Sequence, residues 1–221
     1  MDNNPSSLSP LKINEGLSAE KTHCAQRGTF NHPEAFFGVP LPDHINDELK
    51  GRHILAELNQ SQLMKILDLS PPFLKIQKII VTNNDSRDIL QSKSLGVGVI
   101  TQADTKGHYN ELLSLALCGQ LMASTAAIHL ATLFPKTAPQ AIEVNGIKPH
   151  LSVLKTGGLW KPSVQGTPFF AESSIVKKKM QLVWVATKIS FGKIPYGIIE
   201  ELKFVLIPEK ALSSAAEIPT V

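Results

Sequence analysis

The chain has 221 residues, 43% of them hydrophobic, enough for one sizeable core or at most two small domains. A net charge of +3 and an aromatic content of 6% exclude the strongly basic, aromatic-lined surface of a nucleic-acid-binding protein. Two cysteines, Cys24 and Cys118, cannot make a metal cluster alone, so no metal and no cofactor are expected; the opening MDNNPSSLSPLK has no apolar signal core, and the cytoplasm is the expected compartment.

Residues 1–45 read as a flexible tail and arm. The first part is rich in Asn, Ser and Pro with few bulky apolar groups. Phe36, Phe37 and Val39 then fall in a proline-broken apolar patch suited to pack onto a domain. Ile45–Leu58 reads as a helix, and Ser61–Leu67 as a second short helix with Leu63, Ile66 and Leu67 on one side. Phe73–Thr82 is Ile- and Val-rich and ends at the turn signal Asn83-Asn84-Asp85, which predicts a strand. Ser94–Gln102 predicts another, and its two glycines point to a bulge or a close backbone contact.

The stretch from Asp104 to Phe134 is the longest apolar segment. Asn110 is a good N-cap, Glu111 puts a negative charge in the first turn, and Pro135 stops the run. Between Leu112 and Phe134 there is no Asp, Glu, Lys or Arg, so a membrane span must be considered. Ser114, Gln120, Ser124, Thr125, His129 and Thr132 break the run about once per turn, and no Lys/Arg cluster or aromatic belt flanks it. A helix buried on most faces is expected instead, with no membrane span. His129 is expected to be a core histidine with satisfied nitrogens, and Cys118 a buried free thiol.

Lys136–Gln140 reads as loop. Strands are predicted at Ile147–Lys155, Pro168–Lys188 and Tyr196–Ile207, the middle one broken near Lys177–Lys179. Its second half alternates, Leu182, Trp184 and Ala186 against Val183, Val185 and Thr187, and Phe191–Pro195 reads as a hairpin connection. Residues 209–221 read as a flexible tail. The element order predicts an α+β hot-dog domain over 46–208, a long central helix wrapped by an antiparallel sheet, that forms a homodimer.

Thr105, Gly107, His108, Tyr109 and Asn110, followed by Cys118 and Gln120, resemble the helix approach of the FcoT-like hot-dog family. LMKILDLSPPFLKIQKI resembles that family's opening helix and strand, and Leu159-Trp160-Lys161-Pro162 its basic-proline segment. The resemblance covers about Leu63 to Pro208. It implies an enzyme acting on acyl thioesters carried by CoA or acyl carrier protein, either hydrolysing them or adding glycine to the β-carbon of an enoyl group. The family's Tyr in the preceding strand has no counterpart here, where Thr101 and Gln102 stand, and Gly119 replaces its second Asn. A non-catalytic acyl-binding protein is therefore the alternative. Ala116 stands where the dehydratases of this fold carry an acidic residue, which disfavours dehydration.

Within that reading Asn110, His108 and Gln120 are the candidate catalytic residues. Backbone N–H groups at the helix start would polarise the thioester carbonyl, Asn110 or Gln120 would orient water, and His108 would act as general base. Tyr109, Gly107, Gly119 and Trp160 are expected to line the acyl site. The plain structural alternatives are a capping Asn110, a loop His108 and a Gln120 bonded to strand backbone.

Overall fold

The computed structural model describes residues 37–67, 75–84, 88–101, 104, 115–146, 148–149 and 166–208. In chain order these form α1 (Asp43–Leu49), β1 (His53–Asn59), α2 (Gln60–Leu67), β2 (Ile76–Asn83), a 3-10 turn (Ile89–Gln91), β3 (Lys93–Val99), α3 (Leu115–Leu133), β4 (Thr137–Val144), β5 (Lys148–Pro149), β6 (Pro168–Lys179), β7 (Leu182–Phe191) and β8 (Ile194–Pro208). All described strand pairs are antiparallel. The sheet runs β1-β2-β3-β6-β7-β8-β4, with β5 added onto β8.

The expected long central helix wrapped by a sheet is corrected by this architecture. The molecule is mostly antiparallel sheet with three short helices. The helix anticipated from Asn110 to Phe134 is described as the 19 residues of α3. At ~1.5 Å per helical residue and ~3.3 Å per strand residue, α3 is roughly half as long as the 15-residue β8. The sheet is the organising element. Among the described residues no helix is long and apolar enough to cross a membrane.

Side chains alternate between the two faces of the sheet, and each face is covered differently. On one face Cys118, Leu121, Met122, Ala126 and Leu130 of α3 pack with Phe169, Ala171, Val183, Val185, Leu202 and Phe204. On the other, Ile45 and Leu49 of α1 pack with Ile80, Leu95, Val97 and Phe170, and Phe37 and Val39 join them as the arm residues were expected to. Phe36 lies outside the described residues. Close packing on β3 requires glycine: a Cβ on Gly96 would lie 3.0 Å from Thr125 Oγ1 of α3, and one on Gly98 only 2.0 Å from the Lys75 carbonyl oxygen beside β2.

Three element boundaries differ from expectation. The helix predicted over Ile45–Leu58 is α1 followed by β1, because the sequence HILAELN, helical by propensity, gains a ladder with β2. Lys136–Gln140, read as loop because of its proline, leads into β4. Pro139 is tolerated there because β4 is an edge strand, where a missing N–H breaks no ladder on the open side. Of the strand predicted over Ile147–Lys155, only Lys148–Pro149 is described as strand, and the remainder lies outside the described residues. The break in Pro168–Lys188 falls at Met180, whose φ of 54° makes the turn.

Candidate functional site

His108, Tyr109, Asn110, Gly107 and Trp160 lie outside the described residues. What is described is the frame that carries their two segments. The first segment leaves β3 through a clasp. Asp104 Oδ2 accepts from Thr101 N and Thr101 Oγ1, both at 2.8 Å, and Asp104 N donates to the Thr101 carbonyl at 3.1 Å. Lys75 Nζ forms an ion pair with the other carboxylate oxygen. Burial would raise the Asp104 pKa, but Lys75 and Thr101 more than offset it and hold the carboxyl below its usual value. The second segment returns at Gly166, whose N–H donates to the Ile100 carbonyl at 3.0 Å. Both segments are thus tied to the same end of β3.

Gly119 and Gln120 lie in the first half of α3. Gly119 is buried and Gln120 is exposed, free of the strand packing considered for it. Cys118 is a buried free cysteine, and burial pushes its thiol up to about 12, so it stays protonated and is a packing group. Tyr196 was not anticipated as part of this region. It is buried, makes an edge contact with Phe191 at 5.4 Å between ring centroids, and burial with the neighbouring Cys118 pushes its hydroxyl up to about 12. Phe191 in turn lies 6.2 Å from Phe169, the ring that crowds Gly98. The signal in the sequence was a lone tyrosine following the Gly192-Lys193 turn, which periodicity alone does not connect to the helix.

A second polar group lies under the C-terminal half of α3. His129 is fully buried, with Nδ1 2.8 Å from Ser173 Oγ and Nε2 3.0 Å from Ser92 Oγ. Ser92 Oγ donates to the Ile89 carbonyl at 2.6 Å, so it accepts from His129 Nε2–H. Nδ1 therefore accepts from Ser173, which accepts in turn from Ser94 at 2.7 Å. His129 is the satisfied core histidine the sequence suggested. Beside it Arg52, almost fully buried, donates to Thr82 Oγ1 at 2.9 Å, Asn84 Oδ1 at 2.6 Å and the Gln91 carbonyl. Burial and the Arg52 charge push His129 down to about 3, so the ring is neutral.

On the opposite face a cleft of about 120 Å³ separates α1 from the sheet. Ile45, Leu49 and Leu95 line it together with an ion-pair network: Lys188 reaches Glu172 at 3.1 Å and Glu48 at 3.5 Å, and Lys93 reaches Glu48 at 2.5 Å. Burial raises the Glu172 pKa and Lys188 only partly offsets it. Burial alone would lower Lys188, but Glu172 and Glu48 raise it overall. Every charge in this cleft has a partner, so it fastens α1 to the sheet. Among the described residues no three His, Cys, Asp or Glu side chains converge as a metal site.

No family model and no curated relative matches the sequence. Among solved structures, the chain is similar to a hot-dog-like protein from Thermanaerovibrio acidaminovorans, at 14% identity and a TM-score of 0.43 over 58% of this chain and 92% of that one. Nothing about activity is carried over from that likeness.

Proposed function

We propose that the chain is an acyl-thioester enzyme of the FcoT-like kind, hydrolysing fatty acyl groups from CoA or acyl carrier protein, with Asn110, His108 and Gln120 as its catalytic residues. One observation supports this reading most. The two segments that resemble the family's site, one holding Gly107 to Asn110 and the other Trp160, are anchored at one end of β3, through the Thr101–Asp104–Lys75 clasp and the Gly166–Ile100 hydrogen bond. Phe169, Phe191 and Tyr196 make a run of buried aromatic rings in the core that α3 covers, an apolar setting of the kind an acyl chain needs. The backbone N–H groups preceding α3 would stabilise the oxyanion, and His108 would take the proton from water.

The proposal includes a homodimer. Among the described residues β4 is an open sheet edge carrying Ile142, 50% exposed, and Val144, 45% exposed, and a second copy of the strand would pair with it.

The test is to incubate the purified protein with acyl-CoAs of several chain lengths, with and without glycine. Free thiol released independently of glycine is expected, and Asn110→Ala or His108→Ala should abolish it while leaving thermal unfolding unchanged. A product heavier by one glycine would instead identify addition to an enoyl group. No turnover of any acyl thioester, carrier-bound ones included, would leave only the acyl-binding alternative.

A further inference from the structure

We propose that the tip joining β6 to β7 docks the protein onto anionic membrane surfaces. Val176 to Met180 are exposed in succession, and three of these five residues are Lys177, Lys178 and Lys179. Met180 is 85% exposed and makes the turn with a positive φ of 54°, so its thioether side chain projects from the end of the sheet. Lys136 belongs to the same end. Its neighbour Thr137 pairs with Pro208 at the close of β8, and Leu206 N donates to the Gln181 carbonyl at 2.8 Å.

Lys177 stands 4.0 Å from the Glu201 carboxylate, but the other lysines of this tip differ from those elsewhere on the sheet. Lys78, Lys93, Lys148, Lys188, Lys193 and Lys203 each have a carboxylate within ion-pair distance. Among the described residues Lys136, Lys178 and Lys179 have none. Lys178 instead donates to the Met180 carbonyl at 2.9 Å and stands 5.7 Å from the Phe134 ring. Behind the tip Lys177 and Lys203 stand over the Trp184 ring, at 4.4 and 5.6 Å from its centroid.

A solvated turn is the ordinary explanation for three successive lysines. It does not explain the methionine that follows them, 85% exposed. A tip with an apolar point and three uncompensated ammonium groups, on Lys136, Lys178 and Lys179, is matched by a lipid headgroup layer: phosphates take the lysines and the upper acyl region takes Met180. An acidic protein would engage the lysines but gives the projecting thioether no comparable medium. Such docking would hold the enzyme close to lipid-derived acyl groups, although it requires nothing of the acyl-thioester reading.

Full-length protein would be sedimented with phosphatidylcholine vesicles, with and without phosphatidylglycerol, at low and physiological ionic strength. Binding is expected only to the anionic vesicles and should weaken as salt rises. The triple change Lys136→Gln, Lys178→Gln and Lys179→Gln should reduce vesicle affinity about 100-fold with unfolding unaltered. Met180→Gln, which keeps every charge, should weaken binding severalfold. Equal binding to neutral vesicles, unchanged binding by the triple variant, or retention by an acidic protein with no vesicle binding would each overturn the proposal.

Discussion

His129 Nδ1 lies 2.8 Å from Ser173 Oγ, joining the C-terminal half of α3 to a strand 44 residues further along, inside a contact that excludes solvent. Burial and Arg52 push the ring down to about 3 from the ordinary 6.5. The folded chain therefore binds no proton at His129 where the unfolded chain begins to bind one. Stability from this group is fully present above pH 6.5 and is lost as pH falls toward 3, by at most about 1.4 kcal/mol per pH unit. Urea unfolding of wild type and His129→Gln across this range should show the stability gap between them narrowing as the solution is acidified. A gap independent of pH would refute the neutral, solvent-excluded ring.

Gly98 should not accept a side chain. A Cβ there would lie 2.0 Å from the Lys75 carbonyl and 2.7 Å from the Phe169 ring, and backbone cannot swing away as a flexible side chain can. Gly98→Ala is expected to destabilise the fold by about 3 kcal/mol or more, whereas Gly96→Ala, 3.0 Å from the side-chain hydroxyl of Thr125 and clear of backbone, should cost about 1 kcal/mol. Thermal denaturation of the two single variants distinguishes them, and equal losses would contradict this packing.

The Lys75–Asp104 pair should couple energetically and matter for turnover. A double-mutant cycle with Lys75→Met and Asp104→Asn is expected to give a coupling energy of about 1–2 kcal/mol, since both groups are largely shielded. Under the thioesterase reading, each single change should lower kcat/KM by more than its effect on unfolding explains, because the clasp orients the segment bearing His108 and Asn110. Loss of stability with kinetics intact would make the clasp purely structural.

A charge on the outer edge should separate the proposed dimer. Ile142→Lys places an ammonium group on β4, a device that blocks strand addition. Sedimentation equilibrium should show wild type as a dimer and the variant as a monomer. A dimeric variant would move the interface elsewhere.

Much of the sheet was legible in the sequence, and the reasons are physical. Leu182 to Phe191 alternates because one face is fully buried in the core under α3 and the other is only partly covered, so period two survives in the residues themselves. The break expected near Lys177–Lys179 was legible because three lysines cannot all enter a core, although the lysines themselves end β6 and the turn follows at Met180. By contrast, β1 exists only because β2 offers a ladder, and β4 carries a proline that an edge alone permits. An uncharged run reveals that a helix is buried but not where it begins, and the start expected at Asn110 lies outside the described residues. At the candidate site, His108 and Asn110 were named through a resemblance to a family motif, and they lie outside the described residues. The Lys75–Asp104 clasp and the Ser92–His129–Ser173 chain could not be named, since each joins side chains far apart in sequence and brought together only by register.

The three longest strands, β6, β7 and β8, are consecutive, linked by the tight turns at Met180 and Gly192. Pairing β3 with β6 instead closes a loop of about 70 residues, which carries about 3 kcal/mol more closure entropy than a two-residue turn. The meander therefore assembles early, from short-range contacts, and presents a ready edge to β3. Folding rate will respond to changes in the two turns, and unfolding rate to changes at the β3–β6 seam, so the seam sets how long the native chain survives between openings.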